Sequence, residues 1–530
     1  MSPLRIETVR VPFAEAAGFG EAHIWARLAA GDLPDGYPAL TLGGAGRSSG
    51  SEFLDRAAAA ESVARQNPEM PSPPADARYV VTGQQPGLLT GPLYTVLKAI
   101  TAVGLSERLS AESGSPVLPL FWVASEDHDV LEVNRVTVRG RRFVHEYDGD
   151  LSRGKVPQVA DIDIAAVREP LLEFLRETLP ETEFTPRALD TVASADYSSY
   201  ASAFAGIMRE VFAGTELRLV DPIALRPLTA PVLAECAARW DEVTAAFERG
   251  SAEVRSAGIE PPLAAPGLFE IVGTGRARVA VEFSGGGAKL SAGEVTLAEA
   301  ADEIRRRPLE FSSGAALRPV VQDAVLPVVA TVGGPAECAY LWQIGDVYAA
   351  VGVTRSLVAP RISATIVEQK IIRAARKAGL APESVLEAHA MLSSHELEVD
   401  ASPGIARVEE AAAELLARVD AAAADIVPAG ESPRWLRKGR SGVEQSVSRI
   451  AMQLREERRK AAGLGRDRLE KIVSALTPGG QPQERSANVM EFLDLYGPEL
   501  VSALLATLDP LAAAHQLAMV SASPGPGEGE

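Results

Sequence analysis

The chain has 530 residues, with 52 basic and 71 acidic side chains and a formal net charge of −19. At roughly 150 residues per domain, this length predicts about three or four structural units, which can form a core without disulfides or structural metals. The acidic balance argues against nucleic acid as a partner, but it leaves room for a local basic pocket that binds a nucleotide. The two cysteines, Cys236 and Cys338, exclude a disulfide framework and a multi-cysteine zinc site, and they fit a reducing cytoplasm.

Neither a secretory signal nor a membrane segment is predicted. The first ten residues lack an apolar run, and no apolar stretch approaches the roughly 18–20 residues of a membrane-spanning helix. We therefore expect a cytoplasmic protein that has no membrane partner. The segment 521–530 is rich in Pro, Gly and Glu, which predicts a disordered tail.

A strand, a glycine-rich turn, a helix and a second strand are predicted in succession. Residues 78–82 and 117–124 have the apolar character of buried strands, and residues 83–91 are rich in glycine. The helix is predicted from about Pro92, with Thr90 as its N-cap. Such βαβ units build parallel sheets whose ligands bind at the carboxyl ends of the strands, so we predict an α/β fold.

Short helices and loops are predicted for the first 75 or so residues, before this unit. Further elements are predicted after it. They are a helix at 197–212, a strand at 216–220, an antiparallel insertion at 266–292 with a strand at 277–283, a strand at 325–331, a glycine turn at 333–335, a helix from 336 and a final sheet strand at 356–359.

Beyond about residue 375 the sequence becomes helical, with apolar residues at alternating spacings of three and four. This apolar seam comprises Ile405, Val408, Ala412, Leu415, Val419, Ala422 and Ile426 in one helix, and Val443, Val447, Ile450, Leu454, Ala461 and Leu464 in the next. Because a break at 428–433 separates the two runs, we predict an antiparallel coiled-coil hairpin whose exposed seam favours a homodimer. An ordinary packed helix pair is the alternative.

Chemistry is first expected in the glycine-rich turn. Its backbone N–H groups and the helix N-terminus that follows favour an anion such as a phosphate or a carboxylate. Gln84 and Gln85 can donate and accept hydrogen bonds, which suits an amide or a sugar, and Thr90 and Tyr94 add hydroxyl groups. The turn matches neither standard nucleotide-binding glycine motif, and a tight structural turn is the alternative.

A second candidate follows the strand at 117–124. Residues 126–129 are Glu, Asp, His and Asp, placed where a parallel sheet has its carboxyl edge. The carboxylates could hold Mg²⁺ or an amine, and the histidine could act as a general base or donate to a phosphate. Asn134 and Arg135 could extend this site. A solvated loop is the alternative.

Two later segments carry further candidates. Arg318 and Asp323 could form a structural ion pair or take part in the site. Arg485, Asn488 and Tyr496 have spacings that could face one groove, and we assign them to a second nucleotide site. A helix cap with a docking contact is the alternative for these three residues.

Six blocks taken together resemble the BshC family of bacillithiol biosynthesis. They are TGQQPGLLTGPLYTVLKA from Thr82, FWVASEDHD from Phe121, RLVDP from Arg218, LRPVVQD from Leu317, GGPAECAY from Gly333 and GGQPQERSANVMEFLDLYG from Gly479. Their order across nearly the whole chain makes the resemblance far more specific than any single motif. It implies a Rossmann-like core with connecting-peptide insertions and an α-helical coiled-coil domain that dimerises.

From the resemblance and the sequence pattern we expect three regions. They are a core over 1–375 with insertions at about 140–195 and 255–312, a helical coiled-coil and dimerisation domain over 376–520, and the tail over 521–530. The family reaction implies a ligase that joins L-cysteine to the amino group of glucosaminyl malate through a carbon–nitrogen bond. Because a carboxylate is a poor electrophile, we expect ATP or another activated phosphate donor, with Mg²⁺ optional and no protein metal ligand assigned.

The residues expected to act in catalysis are His128, Asp127, Asp129 and Gln84. The histidine, with one of the aspartates, would take a proton from the attacking amine. Lys98 would neutralise anionic groups on the substrates. The residues expected to bind substrate are Thr82, Gly83, Gln85, Gly87, Thr90, Gly91, Tyr94, Trp122, Glu126, Asn134, Arg318 and Gly334.

Two other functions stay open on the sequence alone. One is nucleotidyl or aminoacyl transfer to a different acceptor, by an enzyme related to class I aminoacyl-tRNA synthetases. The other is a non-catalytic coiled-coil scaffold with a nucleotide-binding core. The cluster of Gln84, Gln85 and residues 126–129 argues against the scaffold, because loss of activity usually erases such polar groups.

Overall fold

The computed structural model describes residues 4–13, 24–30, 32, 37–40, 48–152, 154–377, 380, 403–426, 433–461 and 466–522. The chain packs as two units. The first comprises the residues up to Ile366 together with those from Gln481 onward, and the second comprises Val367–Gly480. Among the described helices, none combines the length and apolar character that a bilayer span requires.

The described strands and helices are numbered here in chain order. The strands are β1 Leu4–Pro12, β2 Arg78–Gln84, β3 Val117–Val123, β4 Arg135–Val138, β5 Arg141–Val144, β6 Arg218–Val220, β7 Leu268–Val272, β8 Ala277–Ala280, β9 Glu282–Ser284, β10 Gly287–Leu290, β11 Gly293–Thr296, β12 Phe311–Ser313, β13 Val328–Gly333, β14 Leu357–Pro360, β15 Ser363–Glu368 and β16 Ala514–Ala522. The helices are α1 Ile24–Ala30, α2 Arg56–Gln66, α3 Leu93–Ser113, α4 Val130–Val133, α5 Arg168–Thr178, α6 Thr185–Ala193, α7 Tyr200–Val211, α8 Pro222–Ala238, α9 Trp240–Ser256, α10 Leu297–Arg306, α11 Arg318–Val325, α12 Pro335–Gln343, α13 Gly345–Ala350, α14 Gln369–Lys377, α15 Pro403–Ile426, α16 Arg434–Ala461, α17 Arg466–Leu476, α18 Gln483–Ser486, α19 Val489–Tyr496 and α20 Glu499–Thr507.

A five-stranded sheet lies at the centre of the first unit, in the order β14-β13-β2-β3-β6. Each neighbouring pair is parallel. The pairing of β2 with β3 runs from Arg78 opposite Val117 to Gln84 opposite Val123, so both strands end at the same edge. The predicted Rossmann-like α/β fold is therefore confirmed, and its ligand-binding edge is the one reached by Gln84.

Helix α3 makes the crossover from β2 to β3. It begins after Pro92, whose extended backbone forms the N-cap, and it ends at Gly114, which adopts the left-handed conformation with φ 63°. The prediction of Thr90 as N-cap is wrong. Thr90 lies in a short 3₁₀ turn with φ 72°, so its hydroxyl does not reach the helix N-terminus.

Residues near both ends of the sequence meet in a second, three-stranded sheet. β1 pairs antiparallel with β16 from Leu4 opposite Ala522 to Pro12 opposite Ala514, and β15 flanks β16. The strand predicted at 356–359 is β14, but it does not end the sheet region, because β15 follows it. Residues 521 and 522 belong to β16 and not to the predicted tail, whose remainder lies outside the described residues.

The antiparallel insertion predicted at 266–292 is present as two small sheets, in the orders β12-β7-β8 and β11-β10-β9. Arg276, Gly285 and Gly286 take positive φ angles in the turns, as tight hairpins require. The strand predicted at 277–283 is interrupted at Val281, where the chain passes from one small sheet to the other. The strand predicted at 325–331 begins at Val328, because Val325 ends helix α11.

The main hydrophobic core joins elements that are remote in sequence. It includes Leu97 of α3, Phe121 of β3, Phe204 of α7, Met490 of α19 and Val520 of β16. The segment after Gln481 is thus part of the core of the first unit. We predicted this segment as part of the helical domain over 376–520, and in the structure it packs with the first unit.

The second unit contains α14 to α17. Arg440 pairs with Asp420, and Arg455 pairs with Glu409 at 3.0 Å, so α15 and α16 run antiparallel as predicted. Ile405 is buried together with Ala451. The helical hairpin is present, while the break at 428–432 and Leu464 lie outside the described residues.

The apolar seam of this hairpin departs from the predicted spacing. Leu415 is 50% exposed and Ile450 is 49% exposed, whereas Leu416 and Ala451 lie on the more buried side. An α-helix has about 3.6 residues per turn, so a straight helix drifts away from a strict heptad repeat. Because apolar side chains are exposed on this hairpin, self-association through it stays a prediction.

The first prediction concerns Asn488, which connects the start of α19 to the glycine-rich turn by hydrogen bonds. Its Nδ2 donates to the carbonyl oxygens of Leu89 and Gly91 at 2.8 and 2.7 Å, and its Oδ1 accepts from Met490 N–H. We expect Asn488→Ala to lower the free energy of unfolding by about 2 kcal/mol, because it leaves buried carbonyls unpaired and removes a cap. The measurement is urea unfolding followed by tryptophan fluorescence.

The matched control is Asp55→Ala, which removes the N-cap of α2 on the surface. Its expected cost is about 1 kcal/mol or less, because water replaces the lost bonds. Equal losses for the two variants would contradict the role assigned to Asn488.

The second prediction concerns His515 of β16, whose ring lies between the hydroxyls of Ser363 and Thr365 at 2.8 and 2.9 Å. Burial lowers the pKa of His515 to about 4. The neutral ring therefore stabilises the fold at and above pH 6.5, and this contribution, up to about 3 kcal/mol, is lost as the pH falls from 6.5 towards 4. Comparing unfolding of wild type and His515→Gln from pH 7.5 to 4.5 should show a shallower decline in the variant, and parallel curves would refute the assignment.

Candidate active site

A cavity of about 580 Å³ opens at the carboxyl edge of the parallel sheet, where β2, β3 and β13 end. The two stretches that the sequence analysis singled out meet in it. Gln84 and Gln85 line it from the end of β2, Asp127 and His128 line it from the loop after β3, and Gln85 Nε2 donates to Asp127 Oδ2 at 2.6 Å. The structure therefore places both candidate stretches in one site.

Glycines allow the backbone of this edge to pack closely. A Cβ at Gly83 would lie 2.7 Å from the carbonyl oxygen of Trp122 on the neighbouring strand. A Cβ at Gly333 would lie 2.9 Å from Glu337. Gly83, Trp122 and Gly334, for which substrate binding stays a prediction, all line the cavity. Side chains at the two glycine positions would separate the elements that form the cavity wall.

Lys98 is buried in the wall of the cavity, and each of its three donors has a partner within the protein. Its Nζ donates to Gly83 O and Gln84 Oε1, both at 2.9 Å, and it pairs with Glu337 at 2.5 Å. Burial alone would raise the pKa of Glu337, but Lys98, the Gly334 N–H and Arg318 together outweigh burial and lower this pKa, so the carboxylate is ionised. An ammonium has three donors and all three are used, so Lys98 has no donor left for a direct hydrogen bond to the anionic groups that it was predicted to neutralise.

The cations and carboxylates around the two glutamines fix how their amides are oriented. Because Lys98 can only donate, Gln84 must turn its Oε1 towards it, which leaves Nε2 on the side of Tyr94 OH at 3.4 Å. Asp127 can only accept when ionised, so Gln85 turns its NH₂ towards that carboxylate. Gln84 thus has an N–H donor left for a ligand, and Gln85 has a carbonyl oxygen that can accept. A donor beside an acceptor suits a hydroxyl-rich substrate.

The acidic residues of the loop after β3 have internal partners. Glu126 pairs with Arg226 at 2.7 Å, and burial raises the pKa of Glu126 although the arginine opposes the shift. Burial would also raise the pKa of Asp127, but the hydrogen bonds from Gln85 and from the backbone N–H of His128, with the charge of Arg278, outweigh burial and lower that pKa. Asp127 therefore stays ionised and is a weak base.

Asp129 lies apart from these groups. It is exposed, does not line the cavity, and accepts from Glu132 N–H at 3.2 Å as the N-cap of α4. The predicted Mg²⁺ site of three carboxylates is therefore not formed. Within the described residues, no group of three His, Cys, Asp or Glu side chains is placed to hold a metal. Mg²⁺ carried by nucleotide phosphates needs no such group and stays a prediction.

His128 contacts residues from the antiparallel insertion. Its Nδ1 lies 3.0 Å from Arg278 Nη1 and 3.6 Å from Asp127 Oδ1, and its ring is 5.6 Å from that of Phe269. Arg278 stacks on Phe269, with 3.9 Å from its guanidinium carbon to the ring centroid. The insertion thus contributes Phe269 and Arg278 to the wall of the cavity.

Arg318 lines the cavity, as predicted, but it does not pair with Asp323. Its Nη2 donates to Tyr340 OH at 2.6 Å. Asp323 instead accepts from Ser356 N–H at 2.7 Å, and burial raises its pKa to about 6. Arg318 is the predicted cation that remains at the cavity surface to meet an anion.

Three residues that were predicted to bind substrate do not line this cavity. Thr82 is buried and donates to Val332 O at 3.1 Å, and Asn134 is buried and donates to His145 O at 2.9 Å. Thr90 is fully buried and lines neither this cavity nor the one beside it. Polar type and position in the turn predicted these residues, but their side chains point into the protein.

A second cavity of about 390 Å³ adjoins the first, and Gln84, Gln85, Tyr94, Glu132 and Arg485 line both. The predicted binding residues Gly87 and Gly91 lie in its wall. Arg135 and Arg142 add two further guanidinium groups, so positive charge exceeds negative charge here. The glycine-rich turn therefore faces a basic environment, which suits an anion.

The predicted second nucleotide site is not assembled as expected. Arg485 is exposed at the junction of the two cavities. Asn488 is fully buried as the N-cap of α19, and Tyr496 packs at the border of the main core. The cap and docking alternative is correct for Asn488, so only Arg485 is placed to meet a ligand.

The sequence analysis missed several residues of the site. Arg278 and Phe269 come from the insertion, about 150 positions after His128, and no local pattern links them. Arg361 also lines the cavity and is held by Glu484 through two bonds of 2.7 and 3.0 Å. A buried arginine in an otherwise apolar strand was the available indication for Arg278.

The third prediction concerns the buried pair of Lys98 and Glu337. Lys98→Met should lower the free energy of unfolding by about 3 kcal/mol or more, because it leaves the Glu337 carboxylate buried and unpaired. The double variant Lys98→Met/Glu337→Gln should recover part of this loss, since no lone charge remains. Urea unfolding of the wild type, both single variants and the double variant measures the coupling, and strictly additive losses would contradict it.

Comparison with known proteins agrees with the fold. Two family models match: the N-terminal Rossmann-like domain of bacillithiol biosynthesis BshC over residues 62–362, and the C-terminal coiled-coil domain of BshC over residues 364–520. A relative from Heliobacterium modesticaldum, named "Putative cysteine ligase BshC", is 32% identical over 462 residues, 81% of each chain. Relatives with the same name from Symbiobacterium thermophilum and Shouchella clausii are 30% and 29% identical, covering 86% and 83% of this chain and 86% and 84% of theirs.

The two family models follow one another in the order of the two predicted regions and span most of the sequence. Together with the parallel sheet and the helical hairpin, they show that the chain belongs to the BshC family of bacillithiol biosynthesis.

Proposed function

We propose that this protein is a ligase that joins L-cysteine to the amino group of glucosaminyl malate through an amide bond. The names of its relatives support a cysteine ligase. The observation that carries the proposal is the convergence of Gln84, Gln85, Asp127, His128 and Arg318 on one cavity at the carboxyl edge of the sheet. A hydroxyl-rich, anionic substrate fits such a mixture of amides and cations.

The reaction requires an activated carboxyl group, for which we propose ATP as the donor. The cysteine carboxylate oxygen attacks a phosphorus atom, an O–P bond forms, and pyrophosphate or ADP leaves with the electron pair. The amine nitrogen then attacks the activated carbonyl carbon, a C–N bond forms, and the C–O bond to the phosphate breaks. The amine proton passes to solvent or to a base.

The positive charge of the second cavity suits binding of the anionic part of a substrate. Arg135, Arg142 and Arg485 supply charge beside the N–H groups of the glycine-rich turn. Either the malyl carboxylates or the donor phosphates could occupy this region while the reacting groups lie near Gln84 and His128. The substrates would then span the two adjoining cavities, which are both lined by Gln84 and Gln85.

The fourth prediction tests the catalytic assignment. Gln84→Ala should reduce cysteine-dependent turnover of glucosaminyl malate by about a hundredfold, because it removes a donor at the reacting groups. Asp129→Asn should stay near wild type, since asparagine also caps α4 and position 129 lies outside the cavity. The measurement is product formation by mass spectrometry with purified protein, L-cysteine and ATP.

Near wild-type turnover of Gln84→Ala would overturn the site, and a large loss in Asp129→Asn would restore the role first predicted for that residue. Exchange of labelled pyrophosphate into ATP separates the alternative. Exchange that depends on cysteine supports activation of its carboxyl as an adenylate. Exchange without cysteine supports nucleotidyl transfer to a different acceptor.

A further inference from the structure

The contact between Arg278 and His128 determines which nitrogen of the imidazole ring can act in the cavity. Arg278 Nη1 lies 3.0 Å from His128 Nδ1. A guanidinium group has donors and no acceptor, and it keeps its charge in proteins. Nδ1 must therefore accept this hydrogen bond, and the proton of the neutral ring resides on Nε2.

Arg278 is held so that it cannot turn away from this role. Its Nε donates to Ser312 Oγ at 3.0 Å, and its Nη2 donates to Ser313 O at 2.6 Å. Its guanidinium group stacks on Phe269, and only 6% of the residue is exposed. These two hydrogen bonds and the stacking contact fix the guanidinium group, so that Nη1 is the nitrogen that faces the histidine.

The competing partner of Nδ1 is the Asp127 carboxylate, which lies 3.6 Å away. That carboxylate already accepts from the backbone N–H of His128 at 2.7 Å and from Gln85 at 2.6 Å. Arg278 also approaches it to 3.8 Å. Asp127 is thus satisfied by other donors, and the arginine is the nearer partner of the ring.

We propose that Arg278 is a positioning residue that locks His128 with its proton on Nε2, so that His128 donates a hydrogen bond to the substrate instead of accepting a proton. This inference rests on the proposed function for its substrate, and it replaces the general-base role predicted from the sequence. Gln84 is fixed as a donor in the same way by Lys98. The two N–H groups suit a developing negative charge on a phosphate or carbonyl oxygen.

The direct test is a long-range nitrogen–proton spectrum of protein labelled with ¹⁵N-histidine, without substrate. The chain has six histidines, and the signals lost in His128→Gln assign the ring. We expect a bare Nδ1 and a protonated Nε2. A protonated Nδ1 with a bare Nε2 would overturn the proposal, and this result does not depend on whether the protein is a ligase.

Activity supplies the second test, with variants that differ in where they place an N–H group. His128→Gln keeps a donor near the position of Nε2, so its kcat should stay within about tenfold of wild type. His128→Asn places its amide near Nδ1 and should lose about 100-fold to 1,000-fold in kcat, with little change in KM. Equal losses in the two variants would overturn donation by Nε2.

Arg278 itself is tested through the histidine spectrum. In Arg278→Met the lock is removed, so the proton should redistribute towards Nδ1, and Arg278→Lys should restore the wild-type pattern at least in part. An unchanged histidine spectrum in Arg278→Met would show that the arginine does not set the proton position. If the wild type makes no product from cysteine, the proposed function fails while the spectrum still decides the proton position.

Discussion

The candidate active site depends on buried cations that can donate hydrogen bonds but cannot accept them. Lys98 lies beneath the end of β2 and Arg278 lies behind the loop after β3, and each contacts a side chain that could otherwise adopt either of two orientations. An amide or an imidazole next to such a cation has to turn its acceptor atom towards the cation. Its N–H group then faces the cavity. The direction of the hydrogen bonds offered to a substrate is thus set by buried cations in the cavity wall.

The cost of burying Lys98 and Arg361 at this edge of the sheet is met by carboxylates from distant parts of the chain. Glu337 pairs with Lys98, and Glu484 pairs with Arg361 at the same edge of the sheet. Breaking a buried pair is strongly destabilising, so these residues link the stability of the fold to the geometry of the site. This arrangement also explains how a chain with a net charge of −19 forms a cavity that meets anions through Arg318 and Arg485. Net charge describes the whole surface, while binding depends on the few groups that remain at the cavity.

The sequence predicted the parts of the fold and site that local pattern controls. The βαβ unit, the glycine-rich turn and the row at 126–129 lie close to where periodicity and the rule for parallel sheets placed them. It could not predict which polar side chains turn inwards, so Thr82 and Asn134 were assigned to substrate but bond to backbone. Arg278 was missed because its contact with the loop is made by tertiary packing across about 150 positions. The pairing of β1 with β16 was missed for the same reason, since no local feature links segments more than about 500 positions apart.

We expect the substrates to meet at the carboxyl edge of the sheet, between the two glutamines and His128. The decisive measurement is a crystal structure of the protein with glucosaminyl malate. The sugar should lie in the 580 Å³ cavity, within hydrogen-bond distance of Gln84 Nε2, and the malyl carboxylates should contact arginine side chains. A ligand bound elsewhere on the chain, with this cavity filled only by solvent, would show that the site has been misplaced.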